Sequence, residues 1–225
     1  MLGGIVIDIS KKVLVVGIGG LGSIAAFDLA QCGIKTIGLM DPDNVELSNL
    51  HRQLLYTKDD IGYPKVIRAQ KRLKNLFPSN NYIPYEMPME ESTFKNIAQN
   101  YDLIVDGLDR IEKKFTLNDM CVKLNIPYIH AGAVQLEGQV LPVFPGLSAC
   151  LRCLFDAPTE NYSAPSCQEI GVLGPAVQTI GWFQVFEIRK FLNQEKNFFL
   201  WKINLENRKI QASHLLKSSN CKICN

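Results

Sequence analysis

The 225-residue sequence has no apolar run of membrane-spanning length. Its longest stretch without a charge, Ile170–Phe186, is interrupted by Pro175, Gln178, Thr179 and Gln184 and reads as a buried helix. It has no basic leader, because Met1–Ser10 lacks Lys and Arg and Asp8 breaks its apolar run. A large excess of one charge sign is lacking as well: 24 Lys and Arg against 22 Asp and Glu give a net charge of +2, which gives no ground for a general nucleic-acid surface. Internal repeats and low-complexity segments are missing. These absences lead to the expectation of a cytoplasmic protein that engages neither membrane nor nucleic acid. With 47% hydrophobic and 20% charged residues, the length suits a single α/β domain with a large core, here 1–225.

Glycine is plentiful where it matters. Val13-Leu14-Val15-Val16 runs into Gly17-Ile18-Gly19-Gly20-Leu21-Gly22, after which an apolar-periodic stretch begins. The order reads strand, tight turn, helix. Gly17 lets the chain leave the strand sharply, Gly19 leaves no Cβ in the way of a phosphate, and Gly22 allows close helix–strand packing. Gly20 opens the helix, whose N-terminus offers N–H groups and a positive dipole end to an anion. Nineteen residues beyond Gly22, Asp41 closes a second strand (Ile37-Gly38-Leu39-Met40) and is placed to accept hydrogen bonds from ribose hydroxyls. This pattern indicates a nucleotide and leaves a dehydrogenase and an ATP user equally open.

Periodicity extends the reading. A helix from Gly20 to about Cys32 shows Leu21, Ile24, Ala25 and Leu29 on one face, with Gly33 as a C-terminal stop. Val45–Leu55 is polar, loop-like or briefly helical. Pro64 sits near the start of a helix to about Phe77, with Val66, Ala69, Leu73 and Leu76 as its apolar face. Tyr82–Pro88 reads as an edge strand because of Pro84 and Pro88. A short helix at Thr93–Gln99, a buried strand at Tyr101–Asp106, a helix at Ile111–Leu124 and a strand at Pro127–Gly132 follow. The alternation predicts a Rossmann-like, doubly wound, largely parallel sheet over about 11–132. Residues 133–225 then supply antiparallel C-terminal strands: a hairpin over Ala133–Phe144 and another over Phe198–Leu205 and Arg208–Ser213. Between them lie a Pro/Ser/Asn-rich loop over Phe155–Gln168 and a helix over about Val172–Leu192.

Loops at the carboxyl ends of strands in such a sheet converge on one crevice. There the sequence places Asp41, the Ser48–Gln53 segment, Lys65 and Asp109. A dehydrogenase needs no cation beyond the pyrophosphate, whereas a triphosphate needs Lys or Arg and a metal. Arg52 and Lys65 supply cations, and Asp109 is a carboxylate able to hold Mg²⁺. Taken together these residues favour ATP.

Cysteine is the second chemical signal. Of seven, four form the pairs Cys150-x-x-Cys153 and Cys221-x-x-Cys224, with 67 residues between the pairs. Two such knuckles complete a tetrahedral, structural Zn²⁺ site that would clamp the tail. Cys32 and Cys121 fall on helix patterns and suggest core packing.

The ordered set Gly17-x-Gly-Gly-x-Gly22, Asp41, Ser48-Asn-Leu-His-Arg-Gln53, Gly62-x-Pro-Lys65, Asp106-Gly-Leu-Asp109, Glu137-Gly-Gln139, Cys150-x-x-Cys153, Ser166-Cys167, Gly171-Val-Leu-Gly-Pro175 and the terminal Cys-x-x-Cys resembles the ThiF/MoeB/HesA family of E1-like adenylyltransferases. The resemblance runs from about Lys11 to Cys224. It implies attack of a carboxylate, normally a protein's C-terminal glycine, on the α-phosphate of ATP. It implies that Asp41 holds the ribose, that Asn49, Arg52, Lys65 and, less directly, Gln53 meet phosphates, and that Asp109 holds Mg²⁺. Cys150, Cys153, Cys221 and Cys224 match the zinc ligands, and Cys167 matches a position where some relatives carry a thioester or sulfur-transfer cysteine. A homodimer is also implied.

The sequence departs from that pattern twice. No Arg precedes Arg52, where relatives carry an Arg-rich helical arm, and Leu108-Asp109-Arg110 stands where Thr-Asp-Asn is usual. Three acceptors or roles therefore stay open. One is a ubiquitin-like sulfur carrier protein in molybdopterin, thiamin or tRNA thiolation. The second is a small-molecule carboxylate in cofactor biosynthesis, such as the pyridinol acid of the [Fe]-hydrogenase cofactor of methanogens. The third is a non-catalytic binding module.

Overall fold

The computed structural model describes residues 7–155, 171–196 and 198–224. One eight-stranded sheet carries them, in the order β3-β2-β1-β4-β5-β6-β7-β8. The strands are β1 (Lys12–Val16), β2 (Thr36–Met40), β3 (Asn81–Tyr85), β4 (Leu103–Asp106), β5 (Tyr128–Val134), β6 (Glu137–Val143), β7 (Phe199–Asn204) and β8 (Lys209–His214). The first five pair in parallel, and β5 through β8 pair antiparallel. This is the doubly wound sheet with antiparallel C-terminal strands expected from the pattern.

The helices are α1 (Gly20–Gln31), α2 (Lys65–Leu76), α3 (Glu91–Ala98), α4 (Ile111–Lys123), α5 (Leu151–Leu154) and α6 (Gly174–Leu192). Strand alternation divides the core in two. Val13 and Val15 of β1 face a cluster shared with α1, α2 and α6, whereas Leu14 and Val16 face the opposite cluster with α3, α4 and the cysteine tail. No helix among the described residues is long and apolar enough to cross a membrane.

Three local expectations shift. Helix α1 is buried on nearly every side rather than on one face, because α6 packs over it. Leu76 is 48% exposed as the last residue of α2, whereas the next residue, Phe77, packs against the core. Cys32 is half-buried rather than core, because α1 ends one residue before it, whereas Cys121 is fully buried as expected. Strand β5 also runs past Gly132 to Val134 and is itself the first arm of the hairpin with β6.

Strand order reverses between β1 and β4, and here two turns of the chain touch. Gly17 adopts φ +86°. A Cβ on Gly22 or on Gly107 would overlap the Gly17 carbonyl. The absent side chains bring the β1–α1 turn and the β4–α4 turn into contact, which opens the crevice at their carboxyl ends.

Candidate active site

A cavity of about 1330 Å³ opens at that switch point. Gly17, Gly19 and Gly20 form one wall, and the cavity reaches Asp41, Asn49, Arg52, Gln53, Lys65 and Asp109. These residues come from loops after β1, β2 and β4 and from the start of α2, as the strand-end argument requires. Gly22 does not line the cavity; it lies buried below, where it permits the Gly17–Gly107 approach. Cys167 lies outside the described residues.

The glycine turn leads into a helix N-terminus whose first N–H groups face the cavity wall formed by Gly19 and Gly20. Among the described residues, helix α1 has no side-chain cap and no acidic residue in its first turn, which leaves its N-terminal N–H groups suited to an anion. Asp41 is 5% exposed and tied to the turn: Oδ2 accepts from Ile18 N–H at 2.7 Å and Oδ1 from Asp43 N–H at 2.9 Å. Each oxygen keeps a second lone pair for a ligand hydroxyl. Burial raises the Asp41 carboxyl above its ordinary range against the pull of Lys65.

The cations are held in two ways. Lys65 Nζ lies 2.8 Å from Asp43 Oδ2 and 3.8 Å from Asp41 Oδ1. Arg52 has no carboxylate partner among the described residues: Nη2 donates to Asn49 Oδ1 at 2.6 Å, and Nη1 donates to the Ser48 carbonyl at 3.4 Å and lies 3.3 Å from His51 Nε2. Asn49 is buried and donates to Glu46 Oε2 at 3.3 Å, so its amide aims Arg52 rather than the solvent. Gln53 is 3% exposed, and its Oε1 has no partner among the described residues. Asp109 and Arg110 are exposed at the cavity edge, where α4 begins.

Sequence reading missed a buried polar group at the back of the cavity. Asp106, fully buried at the end of β4, receives Lys114 Nζ at 3.1 Å on each oxygen and His130 Nδ1 at 2.7 Å. Lys114 also donates to the Ala131 carbonyl at 2.6 Å. Burial pushes the Asp106 carboxyl up, but Lys114 and His130 outweigh it and hold it below the ordinary carboxylate range. Burial lowers the His130 imidazolium below its usual value despite Asp106. The ion pair is thus Lys114–Asp106, with His130 a neutral donor. One signal was available: Lys114, Asn118 and Cys121 share the buried face of α4, an unusual place for a lysine.

The four paired cysteines meet on the sheet face covered by α3 and α4. Cys150 and Cys221 sulfurs lie 3.7 Å apart, Cys153 and Cys224 sulfurs 3.3 Å apart, and all four ligand atoms fall within 4.8 Å of one another. Zn–S bonds of about 2.3 Å in a tetrahedron put sulfurs about 3.8 Å apart, so the set fits zinc. Ser218 N–H points at Cys153 Sγ at 3.4 Å, and the thiol of Cys221 is held at about 7, where backbone N–H groups of Ile223 and Cys224 outweigh burial.

The chain matches the ThiF family over residues 9–223. It belongs to that family. Its relatives include an adenylyltransferase and sulfurtransferase MOCS3 of Anopheles gambiae, 37% identical over 220 residues that cover 95% of this chain and 49% of the relative. The adenylyltransferase and sulfurtransferase uba4 of Emericella nidulans is 40% identical over 189 residues, covering 80% of this chain and 39% of the relative. This ThiF-family chain therefore spans less than half the length of these curated relatives. Among solved structures, E. coli MccB with ATP superposes at TM-score 0.83 and 23% identity, over 96% of this chain and 68% of that one. That likeness shows the fold.

Proposed function

We propose that this ThiF-family chain uses Mg-ATP to adenylylate the C-terminal glycine carboxylate of a ubiquitin-like sulfur carrier protein. The observation that carries the proposal is the convergence of Arg52, Lys65 and Asp109 on the Gly17–Gly20 turn in one cavity. The names of the MOCS3 and uba4 relatives support the reaction type.

The chemistry asks little of a general base, because a carboxylate is already ionised at neutral pH. One carboxylate oxygen bonds to the α-phosphorus as the bridging bond to the β-phosphate breaks, giving an acyl-adenylate and pyrophosphate. Lys65 and Arg52 neutralise the phosphates, the glycine turn and α1 N-terminus hold them, and Asp41 fixes the ribose end. Asp109 would hold Mg²⁺, which when bound would offset charge on the leaving pyrophosphate. The tail cysteines hold zinc structurally, since four protein ligands leave no open position. Exposed Trp182 and Phe186 on α6, 48% and 52% accessible, support pairing of two copies.

Arg110 favours a second reading. Its guanidinium stands at the cavity edge and suits a small-molecule carboxylate as acceptor. ATP–pyrophosphate exchange separates the two: exchange dependent on a glycine-terminated carrier supports the first, exchange with small acids alone the second. A protein that binds no ATP and exchanges with no acceptor would overturn both.

A further inference from the structure

The buried group behind the cavity leads to one residue that faces the substrate. Gln139 of β6 lines the cavity, and its Nε2 lies 3.2 Å from His130 Nε2. On the other edge of the ring, His130 Nδ1 meets Asp106 Oδ2, which is an acceptor because Lys114 keeps that carboxylate ionised. The nitrogen facing a carboxylate must carry the proton, so in the neutral ring Nε2 is the acceptor. Only the NH₂ side of the Gln139 amide can then face His130. The carbonyl Oε1 is left over; no partner for it exists among the described residues.

We propose that Asp106 and His130 lock the Gln139 amide so that Oε1 stands in the cavity as a hydrogen-bond acceptor for the last peptide N–H of the acyl substrate. Gln139 contacts substrate; His130 is a positioning residue that acts through it. This rests on the adenylylation reading and adds a criterion to it. A site that offers an acceptor favours a chain ending in an amide-linked glycine and disfavours an acid that lacks an N–H at that position. The register supports the placement. Gln139 pairs with Gly132 on one side and Lys202 on the other, and Gly132 contributes no side chain between Gln139 and the β5 end of the cavity.

The test uses the whole protein, a short synthetic peptide ending in Gly-Gly, and the same peptide with glycolic acid as its last residue, an ester without that N–H. In pyrophosphate exchange the wild type should prefer the amide by roughly 5-fold in KM, the scale of one hydrogen bond. Gln139→Met, of similar size, should lose that preference while KM for ATP stays within about 2-fold. Nitrogen-15 NMR of the wild type should show neutral His130 protonated at Nδ1. Equal amide preference in wild type and Gln139→Met, with normal exchange, would overturn the role of Gln139 alone. An Nε2-protonated neutral ring would overturn the lock. No exchange with the wild type and either peptide or a whole carrier would overturn the adenylylation reading, and this proposal with it.

Discussion

Lys65 Nζ lies 2.8 Å from the Asp43 carboxylate, whose side chain is 64% exposed, while Lys65 itself is 6% exposed. A buried cation thus stands at the cavity with a displaceable, solvent-facing counter-ion. Phosphate can replace Asp43 at small cost, because an exposed partner contributes little. Lys65→Ala should lower kcat/KM for ATP in pyrophosphate exchange by roughly 10²–10³. Asp43→Ala should change it by less than about 3-fold, given the small worth of an exposed pair. A wild-type rate in Lys65→Ala would show that the phosphates lie elsewhere.

Asp109 is exposed at the start of α4 and lies outside the core, so the Asp109→Ala protein should still fold. Asp109→Ala should nonetheless abolish exchange, because the metal loses its protein carboxylate. Thermal unfolding and exchange measured on the same preparation check both halves. Normal exchange in the variant would remove Asp109 from the metal assignment.

The cysteine cluster should carry about one zinc per chain by elemental analysis, since four thiolates fill a tetrahedral site. Zinc at a thousandfold excess over its dissociation constant contributes about 4 kcal/mol. At 2–4 °C per kcal/mol, chelation should lower Tm by roughly 8–16 °C. Cys221→Ser should do the same without chelator. Zinc-free protein with an unchanged Tm would contradict the clamp.

Acid should destabilise the fold in two stages. His130 has its proton affinity lowered by burial, so the unfolded chain binds the proton first as pH falls below about 6.5. Asp106 is held below its ordinary range against its burial, so the unfolded chain again binds the proton first, now below about 4. Both contributions are present at neutral pH and both fall with pH. Denaturant titrations at pH 7, 5.5 and 3.5 should show a first drop that shrinks in His130→Gln and a second, from Asp106, that is partly offset because Asp41, raised by burial, binds its proton first in the folded chain. A first drop of undiminished size in that variant would place the titration on another group.

Much of the fold was legible because its signals are local. The Gly17–Gly22 turn, the capping Gly33, Pro64 ahead of α2 and the alternation of helix and strand each follow from a few consecutive residues. The cysteine pairs were legible for the same reason, since a two-residue spacing already makes half of a zinc site. Less legible was how tightly each piece is held. Nothing in α1 alone shows that α6 covers its outer side, and Leu76 fits the apolar period of α2 although it stands exposed at that helix's last position.

The sequence by itself determined the order of the elements, the nucleotide turn, the strand-end positions of Asp41, Lys65 and Asp109, and the four thiols, because short-range spacing and side-chain chemistry specify them. Only the tertiary structure decided the partners. Asp41 spends one lone pair on each oxygen bracing Ile18 and Asp43; Arg52 is aimed by Asn49; Asp106, Lys114, His130 and Gln139 meet from β4, α4, β5 and β6. Those meetings depend on strand register and on which helix face turns inward, and no pattern along the chain encodes the contact between residues that far apart. The tautomer of His130 and the facing of Gln139 follow from that network.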